Sequence, residues 1–94
     1  MSITGLSRRL VYGRMGIVCS NSPLAASVGI NVMKEGGNAF DAALAVAAAE
    51  AVTIIPSCGV GGDSFVLLYE AATGKVTGVN SSGPAPTGAT GEYY

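Results

Sequence analysis

The chain has 94 residues and a formal net charge of −1, with 49% hydrophobic residues, only 12% charged ones and no histidine. An ordinary soluble domain carries about 25% charged residues, so this composition fits a slice of a larger interior better than a free-standing small domain. The same balance argues against nucleic acid and anionic membrane surfaces as partners, which demand clustered Lys or Arg. The one basic cluster, Arg8, Arg9 and Arg14, reads as a solvated flank.

In chain order, the short apolar run Met15 to Cys19 suits a buried strand between glycines. Ser22-Pro23 then predicts a helix start: serine caps free N–H groups, and proline fits the first helical position, where no donor is needed. Leu24, Val28 and Val32 recur every fourth residue and give the helix a broad apolar stripe. Gly36-Gly37 ends it, because glycine accepts the left-handed conformation that closes a C-terminus. Asn38 is positioned to cap a second helix at once, with Asp41 in its first turn. This helix, predicted to run to about Thr53, is apolar almost all the way round, so other elements must enclose it.

Pro56 stops the second helix, and Ser57 to Asp63 forms a glycine-rich loop. Ser64 to Glu70 follows as a strand apolar on both faces, hence central or covered. Ala71 to Gly74 is a turn, and Lys75 to Asn80 is the antiparallel partner. From Ser81 the chain reads as loop. No stretch has the length and apolarity of a membrane span, and no secretory h-region is visible, so the cytoplasm is the expected compartment. Cys19 and Cys58 read as small buried hydrophobes rather than a disulfide framework.

The lack of histidine removes Ser-His and Cys-His nucleophile pairs and any His-ligated metal from these residues. Asp41 and Glu50 imitate a carboxylate pair, but at about 100° per residue they point to opposite sides of their helix. Gly59 to Ser64 invites a phosphate-loop reading, yet the glycines lead into a strand and not into a helix N-terminus. A tight turn where backbones crowd is the commoner role for such glycines. Ser2 would become N-terminal if Met1 were removed, but an ordinary flank follows it.

One long ordered pattern remains. A helix ends in GGNA-DAA, a glycine-rich loop follows, and then comes GG-x-x-F-x-L-x-Y-x-x-x-T-G-K, all within Val11 to Val76. This pattern resembles the start of the large-subunit region of the γ-glutamyltransferase family. The resemblance implies an α+β chain: the N-terminal portion of an αββα four-layer sandwich of the N-terminal nucleophile hydrolases, with two packed helices and three or so strands. Residues 1–94 would be a partial domain with no internal boundary. An N-terminal threonine of the small subunit, using its own α-amino group as base, would attack the substrate amide. In the family pattern that threonine and the oxyanion glycines lie beyond Tyr94, so no catalytic residue is expected here.

No cofactor and no metal are expected, since the chain has no histidine and its two cysteines are far apart. The expected partners are the remainder of the enzyme (the rest of the large subunit and the small subunit) and a small-molecule amide or γ-glutamyl substrate. One family position falls inside the chain. Glutamyl-specific members carry an arginine in a segment like D-x-R-E-x-A-P that clamps the substrate's α-carboxylate. Aligned on Ala85-Pro86, this sequence reads NSSGPAP, which puts Ser82 at the arginine position. That pattern resembles more the acylase-like or an uncharacterised branch of the family. The alternative reading is a non-catalytic interaction or structural module that assembles through its apolar helix.

Overall fold

The computed structural model describes residues 9–93, which form two helices followed by a two-stranded antiparallel hairpin. Ser2 and Arg8 lie outside the described residues. The architecture is α+β: helix α1 spans Pro23–Lys34, helix α2 Ala39–Thr53, strand β1 Ser64–Glu70 and strand β2 Lys75–Ser81.

Both helix starts follow from side chains that satisfy free N–H groups, and both helix ends from backbone N–H groups that satisfy free carbonyls. At the start of α1 the Ser22 hydroxyl accepts from the Ala25 N–H at 3.3 Å, and Pro23 occupies the first turn. Its end is a two-glycine closure. Gly36 adopts φ 100°, its N–H donates to Met33 O at 3.1 Å, and the Gly37 N–H donates to Val32 O at 2.9 Å. A Cβ on Gly37 would lie 2.6 Å from Val32 Cγ1, so only glycine fits this corner.

α2 begins directly after that corner with a reciprocal cap. The Asn38 side chain accepts from the N–H groups of Phe40 at 2.9 Å and Asp41 at 3.0 Å, and Asp41 Oδ2 accepts from the Asn38 N–H at 2.9 Å. Asn38→Ala removes an acceptor for two N–H groups and should cost about 1 kcal/mol of helix stability. The check is helical ellipticity in a peptide running from Ser20 to Ser57, which should fall in the alanine variant and return with Asn38→Asp.

The strands pair from Ser64↔Ser81 to Glu70↔Lys75. Because facing residues share a side of the sheet, Phe65, Leu67, Tyr69 and Val76 occupy one face, and Val66, Leu68, Thr77 and Val79 the other. Gly74, at φ 69°, closes the turn between them. Phe40 at the start of α2 lines a shallow hollow together with Leu68 and Thr77, which is where the helices approach the hairpin.

Very little of this is covered. The buried apolar side chains are Ala25, Ala42 and Val46, and no large side chain is fully buried among the described residues. Phe65 and Leu67 are 71% and 79% exposed, and Leu44 on α2 is 74% exposed. The accessible surface is 8341 Å² for 9.3 kDa, where a folded monomer of that mass exposes about 5,000 Å². The radius of gyration is 17.6 Å, against about 12 Å for a compact domain of this length.

Two expectations need correction. Met15 to Cys19 is not a strand, because nothing among the described residues pairs with it. Its residues pack instead against the helix pair: a Cβ on Gly29 of α1 would lie 3.0 Å from Val18 Cγ1. Among the described residues the sheet therefore has two strands, where three or so were expected. Cys19 and Cys58 are free and exposed rather than buried, for the same want of covering elements.

Candidate functional site

Two places bring chemistry-bearing side chains together, and both are shaped by segments distant in sequence. The first is a cleft of about 320 Å³ between Ile17–Cys19, Met33 of α1 and the Ala39–Glu50 face of α2. Its walls are mostly apolar, and its one charged lining residue is Glu50. The Glu50 carboxylate accepts a short hydrogen bond from the Ser20 hydroxyl, whose oxygen in turn accepts from the Ser22 N–H at 2.9 Å. This chain of contacts ties the segment before α1 to the far end of α2. Asp41 is engaged at the opposite end of that helix in its cap. The two carboxylates thus do separate structural jobs and form no acid–base pair.

The second place lies at the open end of the hairpin. The glycine-rich loop turns there, with Gly61 at φ 84° and the Gly62 N–H donating to Gly59 O at 3.1 Å, and it feeds directly into β1. No helix N-terminus follows it to favour an anion. The ladder ends at the Ser64↔Ser81 pair, and Asp63 and Ser82 are the residues just beyond it on the two strands. The Ser82 N–H donates to Asn80 Oδ1 at 3.1 Å, and the Gly83 N–H donates to Asp63 Oδ1 at 2.9 Å. A Cβ on Gly83 would meet that same carboxylate oxygen at 3.3 Å, so glycine suits the close approach. Ser82 is therefore held on a pinned backbone, with its side chain exposed and Asp63 beside it.

Sequence reasoning singled out Ser82 and passed over Asp63. The predicted pairing of the two strands brings the loop before Ser64 close to the segment after Ser81, but the Asp63–Gly83 contact itself shows only in the folded chain. Among the described residues no group of three or more His, Cys, Asp or Glu side chains could hold a metal ion. No described helix is long and apolar enough to cross a membrane.

Comparison with known proteins decides the family. The family described as gamma-glutamyltranspeptidase matches residues 25–94. The chain belongs to the gamma-glutamyltranspeptidase family. Within it, the chain corresponds to the N-terminal region. It is 40% identical over 87 residues to the glutathione hydrolase proenzyme of Bacillus subtilis, covering 93% of this chain and 15% of that protein. It is also 40% identical over 84 residues to the glutathione hydrolase-like YwrD proenzyme of the same organism, covering 89% of this chain and 16% of that one. The crystal structure of Helicobacter pylori gamma-glutamyltranspeptidase superposes with a TM-score of 0.77 at 34% identity, over 87% of this chain and 23% of that chain. This gamma-glutamyltranspeptidase-family chain thus spans about one seventh of the length of the curated relatives it matches.

Proposed function

We propose that these residues are a partial domain at the start of the large subunit of a γ-glutamyltransferase-like enzyme. It hydrolyses an amide, or transfers its acyl group, through an N-terminal threonine that lies outside them. The observation that carries this reading is the mismatch in coverage: identity of 40% runs along 93% of this chain yet takes in 15% of the Bacillus proenzyme. The bare faces of β1 and β2 support it, because a sheet apolar on both sides belongs between two layers. The rest of the large subunit and the small subunit supply those layers in an αββα core. A non-catalytic module assembling through α2 would use the same bare surface, and a full-length product that neither self-cleaves nor turns over amides would favour it.

The substrate is a small-molecule amide whose acyl group lacks the α-carboxylate of a γ-glutamyl donor. Ser82 occupies the position at which the resemblance places a carboxylate-binding arginine. A neutral hydroxyl offers one donor and no charge, where guanidinium grips a carboxylate with two charge-assisted bonds. The test is an assay of the full-length protein with γ-glutamyl-p-nitroanilide. Feeble turnover and a high KM are expected, and efficient turnover at low substrate concentration would overturn the substrate assignment.

A further inference from the structure

We propose that Asp63 is a specificity-determining residue at the Ser82 position: its carboxylate repels acyl groups that end in a carboxylate and favours those that end in a cation or a neutral donor. This rests on the reading of Ser82 as the place where the acyl group's far end lies. Three observations support it. Asp63 and Ser82 are the residues that directly follow the terminal Ser64↔Ser81 pair at the open end of the hairpin. Asp63 Oδ1 accepts from the Gly83 N–H at 2.9 Å, so the carboxylate is fixed against the backbone next to Ser82. Asp63 is also the sole charged side chain between Glu50 and Glu70, and none stands between Lys75 and Glu92. The two segments that meet here thus contribute one charge, and it is negative.

Asp63 Oδ1 spends one acceptor site on Gly83, while a carboxylate has about four lone-pair sites in all. Capacity therefore remains for an ammonium or an amide N–H of a ligand. A ligand carboxylate at the same place would bring two anions together with no arginine between them, a juxtaposition that disfavours binding at short range.

The experiment uses the full-length protein and three matched p-nitroanilides: γ-glutamyl, 4-aminobutyryl (the ammonium without the α-carboxylate) and glutaryl (a carboxylate without the ammonium). The primary amides of the last two acyl groups are used for calorimetric dissociation constants, which need no turnover. Wild type should favour the 4-aminobutyryl over the glutaryl compound by about tenfold or more in kcat/KM or affinity. Asp63→Asn keeps an oxygen for the Gly83 N–H while removing the charge, and should shrink that ratio about tenfold. Asp63→Ala should shrink the ratio as well and also lower turnover of every donor, because the Gly83 tether goes. A ratio unmoved by Asp63→Asn, with wild type still preferring the 4-aminobutyryl compound, overturns the role of Asp63 alone. A wild-type preference for the carboxylate-bearing compounds overturns it together with the Ser82 reading.

Discussion

Expressed alone, the 94-residue chain should not behave as a compact monomer. Size-exclusion should show a broad distribution of oligomers, near-UV dichroism should lack fixed aromatic signals, and a hydrophobic dye should bind strongly. The cause is area. The chain exposes 8341 Å², about 3,000 Å² more than a folded monomer of its mass. That excess, on one side alone, falls in the range of about 2,000–5,000 Å² that obligate interfaces bury in total. It is also apolar where it matters. Phe65, Leu67 and Tyr69 stand in a row on one face of β1, with Val66 on the other, and among the described residues both strands of the hairpin are edges with no neighbour beyond them. A sharp monomer peak with ordered tyrosine dichroism would refute this. Supplying the remainder of the enzyme should restore a soluble particle.

Replacing Gly29 should damage the packing of the helix pair severely. A Cβ built there lies 2.6 Å from Val46 Cγ2 and 3.0 Å from Val18 Cγ1, so α1, α2 and the Ile17–Cys19 segment all meet at this one hydrogen. The sign of Gly29→Ala is diagnostic. On a free helix surface alanine would stabilise by about 1 kcal/mol through backbone propensity. Here the overlap must win, so Gly29→Ala should destabilise the full-length protein despite that gain. Gly29→Val adds two methyl groups to the same overlap and should cost about 3 kcal/mol, seen as a lowered melting temperature or loss of soluble product. A neutral or stabilising Gly29→Ala would mean that the helices do not touch as described.

The elements legible in the sequence are those that carry their own instructions. Ser22-Pro23, Gly36-Gly37 and Asn38 with Asp41 act over three or four residues; α1 begins and ends, and α2 begins, where those signals stand. The Thr73-Gly74 turn fixes the hairpin in the same local way. What could not be read locally depended on distant partners. Met15 to Cys19 has a strand's composition, but a strand exists only beside another, and this run lies against helices instead. Burial of Cys19 and Cys58 failed as an expectation because burial belongs to whatever surrounds a residue. At the candidate site, Ser82 was visible through the family pattern. The Asp63–Gly83 tether spans 20 residues and emerges only once the strands are paired. Likewise the Ser20–Glu50 contact joins positions 30 apart.

The back-to-back glycine closure and asparagine cap have a kinetic consequence. Because the connector between the helices is so brief, bringing them together surrenders little chain entropy, and their meeting has low contact order. The hairpin has similarly short reach, yet its two flanks gain little until a distant layer arrives. On these grounds the helical pair should form ahead of the hairpin's two faces being covered.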